Sequence, residues 1–122
     1  MKLSIVVFAL ATPFLASAAY ADGDAAAGKK VFAKCGVCHL IKPEKTLTGP
    51  SLFGVVGRHS ASVEKFSYSD AMKKVDVTWD AETLDKYLTD PKAMVPGTKM
   101  TFPGLPDAVD RANVIAFLAT LK

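Results

Sequence analysis

A chain of 122 residues, 50% hydrophobic and 22% charged, is long enough for one domain. Its net charge of +3 is too mild to point to a nucleic-acid partner. A domain of this size has a small core, and glycines, prolines and charges are spread through it, so something besides side chains is expected to help fill the middle.

Residues 1–21 read as a secretory leader. Lys2 supplies the positive charge, residues 3–11 are nearly all apolar, and Pro13 and a run of small residues lead to Ala19-Tyr20-Ala21, an A-x-A cleavage site. Cleavage after Ala21 is preferred over cleavage after Ala18. An uncleaved membrane anchor is the competing reading; the short apolar core, interrupted by Thr12, Pro13 and Ser17, argues against it. The expectation is export to the periplasm, no stable membrane insertion after cleavage, and a single domain over residues 22–122. Without Lys2 that domain has 14 basic residues against 12 acidic ones, a net charge of +2.

Asp22 or Asp24 can cap a first helix that opens on alanines. Gly28, Val31, Phe32 and Cys35 then share one helical face, and a glycine on that face predicts close approach of another element. The helix is expected to fray near Cys38 and His39. Residues 41–62 carry loop signals: Pro43, Thr48-Gly49-Pro50, Gly54 and Gly57. Asp70 can start a short helix over residues 71–75. Asp80 caps another, in which Leu84, Tyr87 and Leu88 share a face and Pro91 is the stop. Pro91, Pro96, Gly97, Pro103, Gly104 and Pro106 predict a rigid extended loop over residues 91–106. The last helix starts near Asp107 and runs to the end, with Val114, Phe117, Leu118 and Leu121 on one face. No pair of long strands is visible. The class is all-α with long loops.

KCGVCHL, residues 34–40, holds both cysteines of the chain and one of its two histidines. In a helical turn Cys35, Cys38 and His39 lie side by side, so one flat ligand could touch all three. C-x-x-C-H is the attachment pattern of c-type haem: the thiols add across two vinyl groups and the imidazole reaches the iron. A thioredoxin-like pair needs a βαβ context, which is absent from the pattern. A zinc site needs four ligands, and the fourth candidate, His59, lies twenty positions beyond His39. A disulfide would leave the histidine unexplained. The opposite face of the iron would take a second histidine or a methionine sulfur, and His59, Met72, Met94 and Met100 are the candidates. Met100 sits in PGTKM, inside the proline-rich loop, which can hold a sulfur without a helix behind it. Met94 competes on composition, and His59, in the polar stretch GRHS, reads first as an exposed side chain.

GKKVFAKCGVCH, TGPSLFGVVGR, VTWDAETLDKYLTDP and PGTKMTF come in the order and near-spacing of the class I cytochromes c. The chain resembles mitochondrial cytochrome c and its small soluble bacterial relatives over nearly all of residues 22–122. The resemblance implies the class I cytochrome c fold, with three main helices plus short helices and long loops around one covalently bound haem c. It implies Cys35 and Cys38 as thioether anchors, His39 as proximal ligand and Met100 as distal ligand. Pro50 matches the proline whose carbonyl accepts the proximal imidazole N–H. Arg58, Tyr68 and Trp79 match residues near the haem propionates, Tyr87 and Thr98 the hydrogen-bonding set around the methionine sulfur, and Phe102 the aromatic beside the haem edge. Gly28 and Phe32 match positions that cross the last helix at Val114 and Phe117. Two features depart from the pattern. Met72 stands where related carriers often have an asparagine, and Pro106, Asp107 and Ala108 stand where lysines often follow the distal loop.

The resemblance further implies an electron-transfer protein without substrate turnover. It would shuttle single electrons between a cytochrome bc complex, or a similar donor, and a terminal oxidase or photosynthetic reaction centre. Its partners would be redox complexes docking at the haem edge through Lys34, Lys92 and Lys99, with the carrier itself a monomer and no nucleic acid involved. Two other classes stay open at this point: a haem enzyme or gas sensor with Met100 displaced, and a fixed electron-transfer subunit tethered by its leader.

Overall fold

Asp24 turns the chain into its first helix. Its carboxylate accepts the Ala27 N–H at 3.0 Å, and α1 runs over Ala25–Val31 in the computed structural model, which describes residues 23–122. The leader expected over residues 1–21, and Asp22 as an alternative cap, lie outside the described residues. α1 tightens into a 3₁₀ turn over Phe32–Lys34, earlier than the expected fraying point. Helix-like turns nevertheless continue, with the His39 N–H reaching the Cys35 carbonyl at 3.0 Å. That bond keeps Cys35, Cys38 and His39 on one short coil of chain.

α1 packs against the last helix, α5 over Ala108–Ala119. The crossing depends on Gly28: a side chain there would strike the Asn113 carbonyl. Asn113 also accepts the Asp24 N–H through its side chain at 2.8 Å, and the Phe32 and Phe117 rings meet at 5.3 Å. α5 is capped by Asp107, which accepts from Val109 and Asp110. It stops at Ala119, short of the chain end, where the Thr120 hydroxyl closes on the Phe117 carbonyl.

α3, over Ala81–Thr89, is capped by Asp80 as expected and buries Leu84 and Leu88. α2, over Asp70–Lys74, takes its cap from Ser69, whose hydroxyl accepts the Met72 N–H at 3.0 Å. Pro91 ends α3 but also begins a helix, α4 over Pro91–Met94, where an extended loop was expected. The reason is local: proline's preset φ suits the first helical position, where its missing N–H costs nothing, and Asp90 accepts from Ala93 as the cap. Among the described residues there is no strand, only an antiparallel bridge between His59 and Thr78.

The core gathers Phe32, Trp79, Leu84, Leu88, Leu105, Val114, Ile115, Phe117 and Leu118. Each fully buried large side chain contributes roughly 1.5–3 kcal/mol. Half-buried Cys35, Met72, Tyr87 and Phe102 pack against it, so the core runs directly into the region where the motif residues collect.

Candidate functional site

One wall of the site is the turn after α1. His39 Nδ1 donates to the Pro50 carbonyl at 2.8 Å, which leaves Nε2 as the nitrogen with a free lone pair. Burial pushes the His39 pKa down, against the opposing pull of the Pro50 hydrogen bond, so the ring is neutral and able to bind a metal. Gly49 backs the ring so closely that any side chain there would collide with it. The Gly49 N–H donates to the Cys38 carbonyl at 2.8 Å, which ties this backing to the motif itself. Cys35 and Cys38 form no disulfide among the described residues, which leaves both sulfurs for thioether bonds.

The facing wall comes from the proline-rich segment. The Met100 N–H donates to the Thr98 hydroxyl at 3.2 Å, and the Tyr87 hydroxyl on α3 donates to the Met100 sulfur at 3.7 Å. Burial pushes the Tyr87 phenol up to about 12, so it keeps the proton it donates. Cys38, His39, Gly49, Pro50, Met72, Tyr87, Thr98 and Met100 line one cleft of about 450 Å³. That volume is within the usual range for cofactor sites. An imidazole nitrogen on one side and a thioether sulfur on the other make a donor set suited to haem iron.

The third wall is polar. The bridge at His59 and Thr78 brings Trp79 in, with its N–H on the Arg58 carbonyl at 2.9 Å. Trp79 is 7% exposed. It lines a smaller cavity of about 80 Å³ that shares Pro50, Tyr68 and Met72 with the main cleft. The Tyr68 hydroxyl accepts the Val63 N–H at 3.1 Å, and its own proton is unspent among the described residues. Arg58 borders the same cavity, with its guanidinium on the Phe53 and Ser51 carbonyls. Burial lowers its pKa, with Tyr68 acting the other way. The Trp79 indole, the Tyr68 hydroxyl and the Arg58 guanidinium all belong to residues lining this cavity, and donors of that kind suit carboxylates. The residues present therefore fit a flat, iron-bearing group with acidic side arms.

Other candidates sit elsewhere. Cys35 is half-buried against the core and, unlike Cys38, does not line the cleft; burial raises its pKa and Lys34 opposes the rise. Phe102 packs on the core and does not line the cleft. His59 is exposed, as read, and is held by Asp76 at 2.7 Å; it is unavailable as a fourth zinc ligand or a distal donor. Met94 packs on the core. Lys34, Lys92 and Lys99 are exposed, and Lys99 stands at the cleft itself. Three contributors had no reading of their own. Gly49 was noted only as a turn residue. Ser60, 3% exposed, fastens the bridge by bonding Val75 and Val77. Arg111 pairs with Asp85 across a separation that no local pattern signals.

The family model for cytochrome c matches residues 25–122. Cytochrome c2 of Rhodomicrobium vannielii is 54% identical over 105 residues, covering 85% of this chain and 84% of that protein. Cytochrome c2 of Rhodoblastus acidophilus is 52% identical, covering 82% and 94%. Among solved structures, cytochrome cH from Methylobacterium extorquens superposes with a TM-score of 0.77 at 47% identity, covering 80% of this chain and 99% of that one. The matched span contains the C-x-x-C-H turn and the cleft that it faces, and the chain belongs to the cytochrome c family of electron carriers, proteins without substrate turnover that bind one haem c covalently per chain.

Proposed function

We propose that this chain is a soluble periplasmic carrier that passes single electrons from a cytochrome bc complex, or a similar donor, to a terminal oxidase or photosynthetic reaction centre. The observation that carries it is the placing of His39 and Met100 in one cleft, each positioned by its own hydrogen bond. The bound haem supplies reversible one-electron chemistry. Cys35 and Cys38 would anchor it as thioethers, His39 would bind the iron through Nε2, oriented by Pro50, and Met100 would supply a soft sulfur that favours the reduced state. Iron bound by both donors would be kept from substrate and confined to electron transfer. Trp79, Tyr68 and Arg58 receive the acidic arms, and Tyr87 and Thr98 hold the sulfur.

Docking through Lys34, Lys92 and Lys99 fits acidic partner surfaces, whose approach basic charges accelerate at low salt. The leader over residues 1–21, cut after Ala21, accounts for export, and the intact mass of the secreted protein tests it. Among the described residues no helix is long and apolar enough to cross a membrane. A visible spectrum with redox titration, before and after Met100→Ala, tests the whole reading. The intact protein should show the near-infrared band of methionine-ligated ferric iron and resist carbon monoxide when reduced. Met100→Ala should lose the band, bind carbon monoxide and drop in potential. An intact protein that binds carbon monoxide readily would refute the assignment.

A further inference from the structure

Arg111 joins three parts of the molecule through one guanidinium. Nε donates to Asp85 on α3 at 2.8 Å. Nη1 donates to the Leu105 carbonyl at 2.9 Å and the Pro106 carbonyl at 3.0 Å. The pair is mostly sheltered, with side chains 12% and 24% exposed. Leu105 is 2% exposed and gives its N–H to the Leu88 carbonyl at 2.7 Å. Just before it, Gly104 has φ +111° and passes so close to the Thr89 carbonyl that a side chain would not fit. The far end of the segment carrying Met100 is thus stitched to α3 and α5 at a single point. Its near end is fixed separately, by Val95 on Pro91 and Thr98 on Val95. Between them, Thr101, Phe102 and Pro103 make no hydrogen bond among the described residues.

We propose that the Arg111–Asp85 pair is a latch on the Met100 segment, setting how often the sulfur side of the cleft opens to other ligands. A segment fixed at two ends, with Thr101, Phe102 and Pro103 unbonded between Met100 and Leu105, opens when the weaker end releases. Here the far end is held by the Leu105 bond to Leu88 together with charge-assisted bonds that converge on the Arg111 side chain. Arg111 and Asp85 are positioning residues, acting through Leu105 and Pro106 on Met100. The inference rests on Met100 as the distal ligand.

The test mixes ferric holoprotein with rising imidazole. If the sulfur must leave first, the binding rate levels off at the opening rate of the segment. Asp85→Asn, which keeps the side-chain shape, and Arg111→Lys should each raise that plateau about tenfold. The near-infrared band should persist in both at rest, and the Leu105 amide should exchange faster with solvent. Asp24→Ala, which weakens the α1 cap, serves as the control: it lowers global stability while leaving the plateau unchanged. An unaltered plateau in both latch variants, or an equal rise in Asp24→Ala, overturns the latch alone. A wild-type rate that climbs linearly without a plateau, with no near-infrared band, overturns Met100 ligation and the latch together. Should Arg111→Lys fail to fold, Asp85→Asn decides the matter.

Discussion

Replacing Tyr87 by phenylalanine removes one oxygen and leaves the ring. The ring stays packed against Trp79, with centroids 4.9 Å apart, so the core is nearly untouched. What is lost is the bond from the hydroxyl to the Met100 sulfur, 3.7 Å long. The positive end of that O–H dipole faces the sulfur and opposes the extra positive charge that oxidation brings. Without it the oxidised state is relatively favoured and the potential falls. A neutral hydrogen bond is worth a net of about 0.5–1.5 kcal/mol, and one to sulfur belongs at the low end. With 1.4 kcal/mol equivalent to about 59 mV for one electron, the midpoint should fall by about 20–40 mV. Spectroelectrochemical titration at fixed pH and ionic strength reads this directly. Because burial holds the phenol up to about 12, the donor is present at every working pH and the shift should not vary between pH ~5 and ~9. A midpoint that rises, or does not move, would show that the hydroxyl does not act on the sulfur.

Gly28→Ala should destabilise the protein by about 2 kcal/mol: a clash with the Asn113 backbone carbonyl belongs at the upper end of the ~1–3 kcal/mol cost of overpacking, and the helix propensity of alanine returns at most about 1. A denaturant midpoint equal to or above the wild type would contradict the close crossing of α1 and α5. His59 has a raised pKa, first through its bond to Asp76 and then through the Ser60 carbonyl. The stability it adds is fully present below its unfolded value of about 6.5 and is lost as pH rises through the higher folded value. Asp76→Asn should flatten that decline, and unfolding midpoints across that range will show whether it does. Lys34→Glu and Lys92→Glu should each slow electron transfer to an acidic partner at low salt, with the difference closing as salt rises. Equal second-order rates at all salt concentrations would place docking elsewhere.

What the sequence disclosed tracks how local each signal is. The C-x-x-C-H turn, the caps at Asp80 and Asp107 and the face shared by Phe32 and Gly28 are written within a few residues, and each stands in the fold as read. The cap of α2 slipped by one residue because Ser69 and Asp70 are both competent caps, and only the backbone at Ser69, with ψ 154°, is extended. α4 was hidden because proline is a stop signal within a helix and a start signal at its first turn. The bond from His39 to Pro50 was legible only through family resemblance, since nothing in the loop across a separation of 11 positions predicts it. Arg111 had no such precedent, and its partner Asp85 is 26 positions away.

That division follows from how the site is built. Two walls are organised by bonds nearer in sequence, His39 by Gly49 and Pro50 and Met100 by Thr98, while Trp79 is placed by the bridge to residues 58–60, about as far away along the chain as Leu105 is from Leu88. Bringing the walls together takes contacts that are distant in sequence: α1 on α5, Leu105 on Leu88, and Arg111 on Asp85. A donor atom can be recognised from its neighbours, but its distance from the opposite donor is set by packing elsewhere. Tyr87 is the exception, since one side chain touches Trp79 and Met100 at once. A change at Tyr87 therefore couples the polar wall to the sulfur wall. The separation also explains how the family's pattern can survive Met72, which lines both cavities without a hydrogen bond to His39 or Met100. A residue there can alter how wet the interior is while the two donors stay where their own loops hold them.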